Sequence, residues 1–132
     1  MTNDKAQMPN QARNPDGKKR YDIEERTAEF GEAIIQLVKT LPTDPINNPL
    51  ISQIVRAATS IGANYMEADG AESKKDFQHK ISISKKETKE TKHWLRMMAK
   101  ANPGRRDECQ KLLKEAQELS LIFSSILLSK KK

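Results

Sequence analysis

Lysine and arginine side chains are concentrated between residues 72 and 106. This segment holds eleven Lys or Arg residues against four Asp or Glu residues, a local net charge of +7, whereas the whole chain of 132 residues carries +6. Ammonium and guanidinium groups at this density attract anions, and phosphate-rich polymers above all. The chemistry that the segment offers is therefore the binding of a polyanionic partner.

These charges are also ordered in space, provided that the segment is helical. At about 100° per residue, eight of them fall within an arc of about 120°, and Lys80 lies well outside it. We call this set the basic stripe: Lys74, Lys75, Lys85, Lys86, Lys89, Lys92, Arg96 and Lys100. A helix that is merely well solvated alternates its lysines with glutamates, so the one-sided order favours a binding surface. Aromatic residues do not alternate with the lysines, which favours phosphate contacts over base stacking.

Charge and cysteine usage restrict the class of protein. The single cysteine, Cys109, cannot form an intrachain disulfide, and no apolar run suits a signal peptide or a membrane span, so we expect a cytoplasmic protein. Residues 21–71 carry a net charge of −5, opposite in sign to the basic segment. An acidic half and a basic half can also attract subunits to one another, and this alternative stays open.

The elements that must position the stripe are helices. Residues 1–20 have few apolar side chains and are predicted to form a disordered basic tail, which leaves 21–132 as one domain. Helices are predicted after Asp22, from about Pro49 to Gly70, from Ser73 to Asn102, and from about Arg106 to Ser129. Short connections favour antiparallel neighbours, so the expected fold is all-α, an antiparallel up-down four-helix bundle.

Each predicted helix has one apolar face, with repeats at spacings of three and four residues. The predicted core comprises Phe30, Ala33, Ile34, Leu37, Leu41, Ile51, Ile54, Ala58, Ile61, Tyr65, Ala68, Phe77, Ile81, Ser84, Thr88, Leu95, Met98, Leu112, Ala116, Leu119, Phe123, Ile126 and Leu127.

Ile83, Trp94 and Met97 form a further apolar strip on the third helix, away from the centre of its core face. A small bundle rarely exposes its only Trp, so Trp94 either packs at the bundle edge under the fourth helix or belongs to a subunit interface.

Polar residues on the second helix share one face close to the apolar seam. Ser60, Asn64 and Glu67 follow one another at spacings of four and three, Arg56 precedes them by one turn, and Glu87 on the third helix could meet Arg56 or Asn64. Because buried polar groups need partners, this set is either a polar network that fixes register or an oligomer contact, or a binding or catalytic pocket.

Catalytic and metal-binding patterns are absent from the sequence. Glu90 and His93 form one Glu-x-x-His pair, whereas di-iron bundles use two such pairs with two further glutamates. Cys109 has no evident base, and no Gly-rich phosphate loop occurs. We therefore predict a non-enzymatic protein with no metal and no cofactor.

The segments 56–68, 71–80 and 86–95 resemble a known family. Their sequences RAATSIGANYMEA, AESKKDFQHK and KETKETKHWL are similar to those of the four-helix-bundle proteins of 23S ribosomal RNA intervening sequences, a bacterial family related to the accessory variability proteins of diversity-generating retroelements. The resemblance spans roughly residues 21–129. By position, the family's polar residues correspond to Arg56, Ser60, Asn64, Glu67 and Glu87, and its helix-three aromatic corresponds to Trp94.

This resemblance implies a ring-like homo-oligomer, a pentamer, with a basic surface. In the retroelement branch it implies binding to a reverse transcriptase and nucleic acid, and in the ribosomal branch RNA binding. Our expectation is a basic oligomeric protein that binds structured RNA, or an RNA–protein complex, through phosphate contacts of the basic stripe. The alternative is a scaffold whose basic face docks an acidic protein.

Overall fold

Four α-helices make up the described part of the protein, residues 23–130 of a computed structural model. No strand occurs within this range, so the all-α prediction is confirmed. The predicted tail 1–20 lies outside the described residues. The helices are α1 (Ile23–Lys39), α2 (Asn47–Asp69), α3 (Lys74–Ala101) and α4 (Arg106–Lys130), with a 3₁₀ turn at Pro103–Arg105.

The helix starts follow from local side-chain chemistry. Ser73 is the N-cap of α3, and its hydroxyl accepts a hydrogen bond from the backbone N–H of Asp76 (3.0 Å). Helix α2 begins at Asn47, two residues before the predicted Pro49. The reason is Asp44, whose carboxylate accepts from the backbone N–H groups of Ile46 (2.9 Å) and Asn47 (2.6 Å) and so satisfies the first turn earlier.

The helices pack in a closed cycle in which each contacts the next along the chain and α1 also contacts α4. Consecutive helices run antiparallel. Between α1 and α2, Gly31 lies beside Thr59 while Gly62 lies beside Thr27. Between α2 and α3, Glu67 meets Lys80 near one end and Asn47 meets Asn102 at the other. Helix α3 therefore lies between α2 and α4, diagonal to α1.

The core lies along the centre of this bundle. Phe123 of α4 is fully buried and its ring lies 6.4 Å from the ring of Tyr65 on α2, across the diagonal. Two hydroxyls that were predicted to face the core are buried and satisfied: Ser84 donates to the backbone carbonyl of Ile61 (2.9 Å) and Thr88 donates to that of Ser84 (2.7 Å). Sixteen of the 23 residues of the predicted core are buried. The other seven are half-buried at the margins of the core: Ala33, Ile51, Tyr65, Phe77, Leu112, Ile126 and Leu127.

Two glycines at the α1–α2 contact give a matched pair of stability predictions. A Cβ atom on Gly62 would lie 3.0 Å from the hydroxyl of Thr27, which is buried, whereas a Cβ atom on Gly31 would meet nothing closer than 3.8 Å. Overpacking costs about 1–3 kcal/mol, and replacing a helical Gly by Ala gains up to about 1 kcal/mol. We expect Gly62→Ala to lower the free energy of unfolding by about 1 kcal/mol and Gly31→Ala to raise it by up to about 1 kcal/mol, measured by urea denaturation followed by circular dichroism. Equal stabilisation by both changes would contradict the close contact at Gly62.

Candidate nucleic-acid interface

The basic stripe lies on the face of α3 that points away from the bundle core. Seven of its eight members are exposed, and Lys92 is half-buried. Lys92 differs because its ammonium group donates a hydrogen bond to the side-chain oxygen of Gln117 on α4 (2.7 Å). The stripe therefore borders the junction between α3 and α4.

No member of the stripe forms an ion pair with a carboxylate in the described part of the chain. The ion-paired bases there lie elsewhere: Arg26 binds Glu115 (2.7 Å) and Glu118 (2.6 Å), Lys80 binds Glu67 (2.7 Å), Arg105 binds Glu108 (3.1 Å), and Arg56 binds two glutamates of α3. Surface carboxylates thus neutralise bases outside the stripe. The positive charge that remains uncompensated is concentrated on one face.

Two of these ion pairs also raise the pKa of the basic side chain. The hydrogen bond with Glu115 raises the pKa of Arg26, against the opposing effect of partial burial. The hydrogen bond with Glu67 raises the pKa of Lys80, which lies outside the stripe. Both bases are charged at neutral pH with or without these shifts, and each lies against a carboxylate in the folded protein, unlike the members of the basic stripe.

A polar cluster occupies the opposite flank of α3, against α2. The guanidinium of Arg56 donates to Glu87 (3.3 Å) and to Glu90, and the indole N–H of Trp94 donates to the same Glu90 carboxylate (3.1 Å). We call Arg56, Glu87, Glu90 and Trp94 the Arg56 cluster. The structure thus brings together Arg56, Glu87 and Trp94 from the predicted site residues.

The other polar residues of α2 do not join this cluster. Ser60 donates to the backbone carbonyl of Arg56 (2.7 Å), Asn64 donates to that of Ser60 (2.9 Å), and Glu67 pairs with Lys80. A hydroxyl or amide group that donates to a backbone carbonyl one turn back on its own helix needs no partner on another helix for that hydrogen bond. Ser60, Asn64 and Glu67 therefore share a helical face but do not converge on one point.

Trp94 lies on the α2 side of α3, as its hydrogen bond to Glu90 in the Arg56 cluster shows. The expectation that it packs under the fourth helix is therefore wrong, because its azimuth on α3 turns it towards α2. The side chain is half-buried against the core, and its ring meets that of His93 edge-on at 4.9 Å. Ile83 and Met97 are half-buried as well, so this strip is partly covered within one protomer.

Sequence reasoning missed two partners. Glu90 was placed on the same strip of the third helix as Trp94 and in a pair with His93, but not named as a partner of either Arg56 or Trp94. Its carboxylate links these two residues, and its position four residues before Trp94 was the available signal. Gln117 was not singled out, although it faces Lys92. A neutral amide carries no charge pattern, so only the packing of α3 on α4 identifies it.

Other features of residues 23–130 concern metal ligands, the thiol and membrane spans. No three His, Cys, Asp or Glu side chains there are grouped as metal ligands would be. Cys109 is buried at the start of α4, and burial raises the pKa of its thiol, which keeps it protonated at neutral pH. Within the same range, every helix is too short or too polar to cross a bilayer.

Fold and surface together define a class of protein: an all-helical four-helix bundle with one uncompensated basic face. The chain belongs to the 23S rRNA-intervening sequence protein family, whose family model matches residues 19–125. It is also similar to a crystal structure from Bacteroides thetaiotaomicron VPI-5482, a protein of unknown function from the S23 ribosomal protein family. That similarity has a TM-score of 0.69 and 31% identity, and it covers 79% of this chain and 96% of the other. No curated protein matches the chain significantly.

Proposed function

We propose that this protein is a non-enzymatic, oligomeric helical adaptor that binds structured RNA, alone or within an RNA–protein complex such as one with a reverse transcriptase. The observation that supports the proposal is the basic stripe, whose members have no carboxylate partner within residues 23–130. The family description adds a link between proteins of this kind and 23S ribosomal RNA. Contacts from such a surface go to phosphates and carry little sequence information.

A titration of a structured RNA over a series of salt concentrations tests this proposal. Each phosphate contact contributes about −0.9 to the slope of log affinity against log salt on a duplex and about −0.7 on a single strand. Six or more contacts therefore predict a slope steeper than about −4, measured by filter binding from 50 to 300 mM KCl. Absence of binding at the lowest salt, or an affinity that does not fall with salt, would refute the proposal.

The alternative is a scaffold whose basic face docks an acidic protein. The basic stripe, which has no carboxylate partner within residues 23–130, would bind an acidic protein surface as well as it would bind RNA. Reversing two charges with Lys89→Glu and Arg96→Glu distinguishes the two functions in a pulldown. Under the scaffold function, the variant loses a protein partner that nuclease treatment leaves bound to the wild type. Under the RNA function, nuclease alone releases the partner.

Self-association forms part of the proposal, as a ring-like homo-oligomer and in particular a pentamer. Support comes from two features. Ile83, Trp94 and Met97 are only half-buried and leave apolar surface on α3, and the two halves of the chain carry opposite charges. Light scattering should then give a mass well above the 15.0 kDa of one chain. A 15 kDa species at micromolar concentration would exclude the ring.

A further inference from the structure

The outer face of α4 continues the positive surface beyond the basic stripe. Lys92 joins the two helices, because its ammonium group is bound by Gln117. Lys114 lies one turn before Gln117 and Lys111 lies one turn before Lys114, and all three line one shallow groove with Gln110 and Leu113. The stripe thus has basic neighbours on a second helix, outside the segment of high lysine density.

Two nearby acids do not pair with these lysines. Glu115 and Glu118 follow Lys111 and Lys114 by one turn, and both carboxylates bind Arg26 of α1. Lys111 and Lys114 are exposed and form no ion pair in the part of the chain that the structure covers. Because Arg26 is the partner of both glutamates, neither lysine ammonium group is bound by a carboxylate in this range.

Two antiparallel helices in contact have axes about 8–10 Å apart, so the stripe and the α4 lysines form two neighbouring rows. A single strand places its phosphates along one line and relies on aromatic stacking for much of its affinity. Neither row carries an exposed Phe, Tyr or Trp in the described residues. Two rows of cations without stacking platforms fit the two phosphate strands that flank a groove of a duplex.

We infer that Lys111 and Lys114 are a second row of phosphate-binding residues and that the ligand of the combined α3–α4 surface is double-helical RNA. This inference rests on the proposed function and specifies its ligand. Lys92, held by Gln117 between the rows, contributes to both. Exposed Asp107, on the outer face of α4 one turn before Lys111, opposes the phosphates and has no ion pair among residues 23–130.

The second row is tested by removing two positive charges from α4 and comparing the loss of RNA affinity with that of a control variant that loses two positive charges elsewhere. The variant Lys111→Gln/Lys114→Gln should bind an RNA hairpin of about 20 base pairs about 60-fold more weakly than wild type at 0.1 M KCl, since two lost contacts each account for about 0.9 decade per tenfold in salt. The control Lys39→Gln/Lys80→Gln loses the same charge away from this surface and should leave the affinity nearly unchanged. Fluorescence anisotropy on the full chain measures both.

A second variant separates binding from folding, because its effect has the opposite sign. Asp107→Asn removes a carboxylate within about 10 Å of the lysines, so affinity for the hairpin should rise about 2-fold at 0.1 M KCl. A folding defect cannot produce such a gain. An unchanged or lower affinity for Asp107→Asn would contradict the placement of phosphates over α4.

The form of the ligand is tested with three probes of equal length: the RNA hairpin, an unstructured single-stranded RNA and a DNA duplex. The hairpin should bind at least about 10-fold more tightly than the single strand at 0.1 M KCl. Equal or tighter binding of the single strand, or tighter binding of the DNA duplex, overturns the assignment of double-helical RNA. If only variants of the stripe weaken binding, the second row is wrong and the proposed function stands, whereas no binding of any probe at low salt refutes the proposed function itself.

Discussion

Neutralising Lys89 and Arg96 together is expected to weaken binding of a structured RNA about 60-fold at 0.1 M salt. Both side chains are exposed on α3, and neither has a carboxylate partner in the region that the structure describes. Each phosphate contact contributes about 0.9 decade of affinity per tenfold dilution of salt, so two contacts account for about 1.8 decades between 1 M and 0.1 M. The slope of log affinity against log salt should become shallower by about two.

The matched control removes two positive charges from outside the stripe. Lys39 is exposed on α1, diagonal to α3, and Lys80 is already bound to Glu67. Lys39→Gln/Lys80→Gln gives the same net charge as Lys89→Gln/Arg96→Gln, so a difference between the variants reports position rather than total charge. Equal losses in both would mean that only net charge matters and that the stripe is not a site.

The position of the stripe could be predicted because one physical rule determines it. The helical repeat converts sequence spacing into azimuth, and Ser73 and the Asn102–Pro103 break fix where α3 begins and ends. Core residues such as Ile81, Leu95 and Met98 occupy the arc beside the stripe and are buried as the periodicity predicts. For a segment with strong caps and clear periodicity, local sequence is sufficient.

Contacts between helices could be predicted only in part. The sequence allowed Arg56 to meet Glu87 or Asn64, and only the register of α2 against α3 determines that Glu87 and Glu90 bind it while Asn64 bonds within its own helix. For the same reason, one of the two alternatives for Trp94, packing under the fourth helix, was wrong, while the other, a subunit interface, stays a prediction. The helical repeat predicts which face of a helix a residue occupies, but it does not predict which other helix packs against that face.

The α4 lysines show a second limit of sequence reasoning. Lys111 and Lys114 lie in a stretch of almost balanced charge, since Glu115 and Glu118 accompany them. Only the tertiary structure shows that both glutamates bind Arg26 of α1 and not the lysines one turn before them. Charge counted along the chain therefore does not tell which bases of such a stretch are ion-paired.

Phe123→Ala is expected to cause the largest loss of stability of the changes considered. Phe123 is completely buried on α4, where its ring meets Tyr65 of the diagonal helix α2. Truncation of a buried Phe to Ala costs about 3–5 kcal/mol, since the transfer free energy is lost and a cavity remains. That is a large share of the about 5–15 kcal/mol that stabilises a typical domain, so the urea midpoint of the variant should lie well below that of the wild type. Urea denaturation at 25 °C, followed by circular dichroism at 222 nm, measures the change.

Leu121→Ala is the control for this prediction, two residues away on the same helix. Leu121 is 60% exposed in the protomer, so its truncation should change the free energy of unfolding by less than about 0.5 kcal/mol. The pair also reports on assembly, because a leucine covered by a neighbouring subunit would behave as a buried one. A loss above about 1 kcal/mol for Leu121→Ala that grows with protein concentration would place α4 inside a subunit interface and remove its outer face from RNA. A small, concentration-independent effect leaves that face, with Lys114 one turn from Gln117, accessible to a duplex.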